Sequence, residues 1–359
     1  MINAVMNPDV KTTATERSIH LQEWLKPWLN RSPIPLTPVA GDASFRRYFR
    51  VEAADSRKGT SLILMDAPPD KENSERFLQL ARAWQPLGIR VPTVHQACTQ
   101  LGAALLEDFG DQQLMQAVRE EDPASASPFY HQALQQLAHL QVQATHCPTA
   151  ASLPNYDEAL LQREMDLFDD WLLGQLLKLP DHDRPDGWTA FRQSLVDSAL
   201  EQPRVVVHRD YHSRNLMLLP DHQLGILDFQ DAVIGPCTYD AVSLIRDCYL
   251  MWPEAIQDQW QEQARQLHCR NFETIHATDW QRWFDLMGMQ RHLKAAGIFA
   301  RLWLRDGKAG YLKDIPRTLQ HLQHALARHS EFQPISQWLH NQLMPQLEIQ
   351  LDSLLNTPA

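Results

Sequence analysis

The chain has 359 residues, 44% of them hydrophobic, and 33 Lys and Arg stand against 44 Asp and Glu for a formal net charge of −11. That is enough apolar material for two modest lobes or one large domain, and it excludes a peptide-like or disordered protein. The acidic balance argues against a nucleic-acid coat, which needs a basic face. No apolar run approaches the roughly 18 residues of a bilayer span, and Met1 to Thr15 lacks the apolar core of a signal sequence. The expectation is a cytoplasmic protein with neither a nucleic-acid nor a membrane partner. Cys98, Cys147, Cys237, Cys248 and Cys269 are scattered and odd in number, without CxxC spacing, which fits reduced thiols rather than a disulfide frame or zinc knuckle.

In chain order, an amphipathic helix is expected over Glu16 to Leu29, then β-like runs at Phe45 to Glu52 and Ser61 to Met65. A helical stretch, Glu72 to Trp84, is closed by Pro86-Leu87-Gly88, and a third strand follows at Ala103 to Glu107. Beyond Gly110 the pattern turns helical: Phe129 to Ala144, Tyr156 to Leu177, Trp188 to Leu200, Tyr239 to Met251, Trp280 to Leu304 and Gln337 to Leu355. Three short apolar runs interrupt it, Arg204 to Val207, Leu216 to Leu219 and Leu224 to Leu227, and read as a small β insert. A short linker at Glu107-Asp108-Phe109-Gly110 joins a small α/β lobe, residues 1–107, to a larger helical one, residues 108–359.

The chemistry concentrates between Val205 and Phe229. An apolar strand leads into His208-Arg209-Asp210, four residues precede Asn215, a second apolar run follows, and a third ends in Asp228. Phosphoryl transfer needs such a set: a carboxylate near the attacking hydroxyl, plus an amide and a carboxylate oxygen for Mg²⁺. Two plainer readings compete. His208 and His212 stand four apart like a zinc pair, but the flanking Val and Leu runs argue for strand and loop, and the Glu of HExxH is missing. Asp210 and Asn215 could simply organise turns; a third acid at a strand end weakens that reading.

His208-x-Asp210-x4-Asn215 followed by Leu227-Asp228-Phe229 resembles the core of the aminoglycoside phosphotransferase family, protein-kinase-like enzymes that phosphorylate small molecules. The resemblance implies an α+β bilobal kinase-like fold, with a small N-lobe of antiparallel sheet plus helix and a larger, mainly helical C-lobe. It implies ATP as co-substrate and Mg²⁺. Asp210 becomes the catalytic base or hydroxyl-orienting group, Asn215 and Asp228 the metal ligands, His208 the loop organiser and Asp240 a brace for the catalytic loop. On the nucleotide side, Gly41-Asp42-Ala43-Ser44-Phe45-Arg46 resembles the phosphate-covering loop, with Gly41, Ser44 and Arg46 as candidates, although an ordinary hairpin turn reads equally well. Glu107 and Phe109 fall where the family's hinge holds adenine through main-chain groups. Met65 stands where kinases usually carry a phosphate-reaching Lys; Arg46, Arg47, Lys58 and Lys71 are the nearest cations.

For the acceptor, eight cations oppose three acids between Arg282 and Arg317, and Arg291, Lys294, Arg301 and Arg305 share one sector of a helix. A cationic stripe suits an anionic ligand, whereas a solvated face pairing with acids elsewhere is the bland alternative. Together with Leu64-Met65-Asp66-Ala67-Pro68-Pro69 and Gln290-Arg291-His292-Leu293-Lys294, the core most resembles the branch of bacterial anomeric kinases of N-acetylmuramate and N-acetylglucosamine, which serve peptidoglycan recycling. That resemblance implies transfer to the C1 hydroxyl of a small amino sugar, with Arg214, Arg291 and Lys294 as candidate acceptor contacts, by a chain expected to act as a monomer. A kinase for another alcohol, an aminoglycoside, choline-like or homoserine-like acceptor, shares the core. A nucleotide-binding pseudokinase scaffold and a metallohydrolase are the rivals from other classes.

Overall fold

The computed structural model describes residues 14–29, 34–39, 45–52 and 61–355. The chain forms two compact units: one takes the chain through Arg82 together with Pro92–Asp108, the other Ala83–Val91 and everything from Phe109 on.

In the first unit, helix α1 (Ala14–Leu29) places Leu21, Leu25 and Leu29 at i, i+4 and i+8, one buried stripe. The stripe packs on Ile34, Val51, Leu64, Ala103 and Leu105. Each such Leu contributes roughly 2 kcal/mol on burial. The sheet has five strands, β1 (Thr37–Val39), β2 (Arg47–Glu52), β3 (Ser61–Asp66), β4 (Val94–Cys98) and β5 (Ala103–Glu107), in the order β1-β2-β3-β5-β4 with every pairing antiparallel. β1 and β4 escaped the sequence reading because they are the edges: β1 is short and mostly exposed with Pro38 inside, and β4 pairs with a register shift between Val94 and Gln96. The first expected strand begins at Arg47 rather than Phe45, whose side chain is exposed. Helix α2 (Glu75–Trp84) starts three residues later than expected, because the Asn73 carboxamide accepts the Glu75 N–H at 2.8 Å and turns the chain there.

The second unit is mostly helical: α3 (Leu114–Ala117), α4 (Pro123–Thr145), α5 (Glu158–Leu167), α6 (Trp188–Leu200), α7 (Tyr239–Ile245), α8 (Glu254–Asn271), α9 (Ala277–Asp306), α10 (Asp314–Ala327), α11 (Gln333–Trp338) and α12 (Met344–Leu355). Asp122 caps α4 by accepting the Ser125 N–H, with Pro123 at the first helical position. α9 runs 30 residues to a left-handed Gly307, and its middle, Phe284 to Lys294, is buried all round. α5, α6, α7 and α10 all pack on it, so it serves as the axis of the unit. α5 continues into a wide π-type turn over Phe168–Leu176 just where α9 comes closest. A Cβ at Gly297 would lie 2.3 Å from the Leu167 carbonyl carbon and 2.5 Å from the Phe168 nitrogen.

The β insert is two antiparallel ribbons, β6 (Arg204–Val207) with β9 (Val233–Pro236) and β7 (Leu216–Leu218) with β8 (Leu224–Ile226). β9 was not foreseen. The expected helix from Tyr239 to Met251 stops at Ile245, since Arg246 leaves helical geometry and Asp247 turns back to bind the loop before β7. The last expected helix is broken into α11, a π-type turn at Leu339–Leu343 and α12. α8 is a further addition. Its buried stripe is Gln257, Trp260, Gln261, Ala264 and His268, too polar to show an apolar period. Among the described residues, no helix is long and apolar enough to cross a membrane.

Candidate active site

β6 delivers the chain into the site. Its last residue, Val207, is buried, and the next three bend into a loop that Asp240 holds from below. The Asp240 carboxylate accepts the His208 N–H at 2.7 Å and the Arg209 N–H at 3.0 Å. Those bonds hold Arg209 at φ +76°, a left-handed conformation costing on the order of 1 kcal/mol or more for a residue with a side chain. Full burial pushes the Asp240 carboxyl up to about 7, against the pull of the two N–H donors. His208 is fully buried. Its Nδ1 accepts the Asp210 N–H at 3.2 Å, so the proton sits on Nε2, which donates to the Leu227 carbonyl at 3.0 Å. Burial lowers its pKa to about 4, and the ring is neutral. Both of its nitrogens are engaged, so His208 and His212 do not make a zinc pair. His208 and Asp240 thus brace the loop.

Asp210 follows, partly buried and facing a cavity of about 90 Å³ inside this unit, whose charged wall also holds Arg209, Arg291 and Lys294. Burial alone would raise its pKa, but neighbouring cations, Lys294 first and Arg209 with it, outweigh it and keep the carboxylate ionised. The Asn215 carboxamide nitrogen donates to the Asp210 carbonyl at 3.0 Å, which commits the NH₂ and turns the amide oxygen the other way. The Asn215 carbonyl accepts the Leu227 N–H at 2.9 Å, putting Asp228 next along the neighbouring loop. Asp228 itself adopts φ +62° and accepts the Gln230 carboxamide at 2.6 Å. Asp210, Asn215 and Asp228 therefore belong to one hydrogen-bonded pair of loops.

The cations divide in a way the sequence did not show. Lys294 lies 3.0 Å from the buried Glu164 and donates to the Tyr239 hydroxyl at 2.9 Å. Arg209 pairs with the same Glu164, which also accepts from Tyr156 and, at 3.3 Å, from Gln290. Burial would raise the Glu164 pKa, but Lys294 and Arg209 more than offset it. Arg291 bonds the Cys248 sulfur at 3.4 Å. The Arg214 guanidinium lies over the Tyr249 ring, 4.7 Å from its centroid, and near Tyr311. Arg305 pairs with Asp306 at the exposed end of α9. The predicted stripe is therefore not one surface: Arg291 and Lys294 are buried at the cavity, while Arg301 and Arg305 lie outside its lining.

Sequence reasoning missed Glu164 and Asp247. Asp247 accepts the Ser213 N–H at 2.9 Å and its hydroxyl, fastening the loop's far side. Glu164 left a trace in the sequence. Glu164 shares the buried face of α5 with Leu161 and Met165, and a carboxylate on an apolar stripe marks a buried ion pair.

On the nucleotide side, Gly41, Ser44 and Lys58 lie outside the described residues. Arg46 lies 3.4 Å from Glu72. Arg47, a candidate for the missing Lys, pairs with buried Asp66, as does Arg17, and Lys71 stands over the Phe45 ring. Met65 is fully buried in β3. The Glu107 carboxylate accepts the Thr93 hydroxyl at 2.9 Å. The Phe109 ring packs with Met217 and Leu219 under the Arg90 guanidinium, so its side chain is core.

A kinase-like sheet in one unit and, in a helical unit, a loop pair bearing Asp210, Asn215 and Asp228 together define a phosphotransferase. The family model of the phosphotransferase enzyme family matches residues 35–282, and the chain belongs to that family. Among its relatives is the N-acetylmuramate/N-acetylglucosamine kinase of Pseudomonas putida, 40% identical over 82% of this chain and 85% of that one. Of solved structures, the ethanolamine kinase of Plasmodium vivax superposes with a TM-score of 0.61 at 12% identity, covering 86% of each chain. An aminoglycoside phosphotransferase in its ADP-bound form does so with a TM-score of 0.53 at 12% identity, covering 86% of this chain and 98% of the other.

Proposed function

We propose that the protein transfers the γ-phosphoryl group of ATP to the C1 hydroxyl of free N-acetylmuramate and N-acetylglucosamine, in the cytoplasm and in peptidoglycan recycling. The observation that carries this reading is an ionised Asp210 at a partly enclosed cavity whose walls are of two kinds. Arg209, Arg291, Lys294 and the Tyr239 hydroxyl form a polar side, and Ala295, Ile298 and Phe299 an apolar one. A sugar carrying hydroxyls and an acetyl methyl group presents the same two kinds of surface. A relative of this chain at 40% identity bears the name of a kinase for these two sugars.

Asp210 accepts the hydrogen bond of the anomeric O–H and holds the oxygen toward the γ-phosphorus, taking the proton late. With a loose transition state the gain comes from placement and charge neutralisation, without a covalent intermediate. The Asn215 amide oxygen and the Asp228 carboxylate are hard oxygen donors, the kind Mg²⁺ takes alongside nucleotide phosphates. Bound there, the ion would neutralise charge on the phosphate oxygens. Incubation with Mg-ATP and a panel of amino sugars and alcohols, with the product's phosphate located by phosphorus NMR, tests the reading. A sugar 1-phosphate from both amino sugars is expected. Phosphate on a different alcohol, or none transferred to any acceptor, overturns it.

A further inference from the structure

Four cations stand at or beside the cavity, and three are committed. Lys294 and Arg209 share Glu164, and Arg214 lies against two tyrosine rings. Arg291 differs. It is 5% exposed, and among the described residues it forms no ion pair with a carboxylate; its hydrogen bond goes to the Cys248 sulfur at 3.4 Å. Burial pushes the Cys248 thiol up, so the thiol is neutral and does not cancel the guanidinium charge. Asp247 and Asp240 act on the guanidinium only from beyond ion-pair distance, and a cation so buried is costly to leave without a direct partner.

His212 lines the same cavity. Its Nδ1 is shielded from solvent and has no hydrogen-bond partner, and the ring is fixed edge-on to Tyr249, 5.3 Å between centroids. Burial lowers its pKa, and the Arg291 charge adds to that. With Nδ1 closed off, the accessible nitrogen is Nε2, and a neutral imidazole can carry its proton there and donate it. A guanidinium on α9 and an imidazole N–H on the catalytic loop, both lining one cavity, make a donor set for one anionic group.

We infer that Arg291 and His212 form a carboxylate subsite that takes the lactyl carboxylate of N-acetylmuramate, and that N-acetylglucosamine leaves this subsite unfilled. The inference rests on the acceptor reading above and adds the residues that separate the two sugars. It withdraws Lys294 from direct carboxylate recognition, because its charge is already matched by Glu164.

The test compares N-acetylmuramate, its neutral methyl ester and N-acetylglucosamine as acceptors for the wild-type enzyme, Arg291→Met and His212→Gln. For the wild type, kcat/KM for the acid should exceed that for the ester by at least about 30-fold, the lower end for a buried charge pair. In Arg291→Met that ratio should collapse to within about 3-fold, and N-acetylglucosamine should lose far less than the acid. His212→Gln should narrow the ratio in the same direction. Equal wild-type rates for acid and ester overturn the subsite without any variant, so a poorly folding Arg291→Met cannot shelter it. Equal losses for both sugars in Arg291→Met also overturn it. Absence of phosphorylation of either sugar by the wild type marks failure of the acceptor reading itself.

Discussion

Asp210 keeps its negative charge in a crowded place because Lys294 and Arg209 face it. On the proposed mechanism Asp210→Asn removes the proton acceptor and keeps the shape, so kcat should fall about 10²- to 10⁴-fold while nucleotide affinity, measured by equilibrium titration, changes little. Near-normal turnover would remove Asp210 from the chemistry. Glu164 is the more surprising residue. One buried carboxylate serves both Lys294 and Arg209, and Glu164→Gln strands two cations together. Breaking such a buried set costs about 3–5 kcal/mol, so urea unfolding should show a loss of that order; a loss below about 1 kcal/mol would mean the cations find other partners. The two residues also mark how far the sequence could be read. Asp210, Asn215 and Asp228 fall within one short stretch bounded by apolar strands, where spacing alone suggests a function. Glu164 meets two of the cavity's cations only because α5 packs against α9, and nothing in local spacing encodes that meeting.

At the scale of elements, α9 fits closely against the turn where α5 widens. Gly297 has no room for a side chain, since its Cβ would lie 2.4 Å from the Leu167 carbonyl oxygen. Gly297→Ala must push backbone against backbone, and overpacking of this kind costs about 1–3 kcal/mol or more. Gly310→Ala, with nothing within 4 Å of its Cβ, is the control and should stay within about 0.5 kcal/mol. Equal urea midpoints for the two variants would show that the helices separate freely. The elements legible in the sequence had a clear period: Trp188–Leu200 and Ala103–Glu107 end where the apolar pattern ends. Those that were not have polar residues facing inward, such as Gln257 and Gln261 in α8, or lie at a sheet edge where one face has nothing to cover.

Across the whole molecule, acid should act through buried histidines. Burial lowers His208 and His268 to about 4 and His321 to about 3, and sets His292 well below its usual value. His292 and His321 stack 5.1 Å apart, each bonded to a backbone carbonyl beside Asp247. In the unfolded chain these rings take up protons as pH falls through about 6.5, while the folded rings stay neutral. Stability therefore rises with pH across this window and is lost on acidification, on the order of 1 kcal/mol per ring between pH 7 and 5.5. Urea midpoints should drop steeply over that range, and His321→Gln should flatten the slope by about one ring's share. A flat profile between pH 7 and 5.5 would show that the rings are solvated. The sequence pattern changes near Gly110. Placement of Ala83–Val91 with the second unit leaves no mark in the sequence, because it depends on tertiary contacts such as the Ile226 N–H to the Arg90 carbonyl at 2.8 Å and Trp84 against Phe229.

A single rod, α9, contributes Arg291, Lys294, Ala295, Ile298 and Phe299 to the cavity, while Asp210 arrives on a loop anchored by Asp240 and Asp247. On the proposed acceptor reading, much of the grip on the alcohol is thus written some eighty positions along the chain from Asp210. On that reading, randomising positions 291, 295, 298 and 299 should retune the choice of alcohol while Asp210, Asn215 and Asp228 stay in place, a division of labour that suits the enzyme to redesign along one face of one helix.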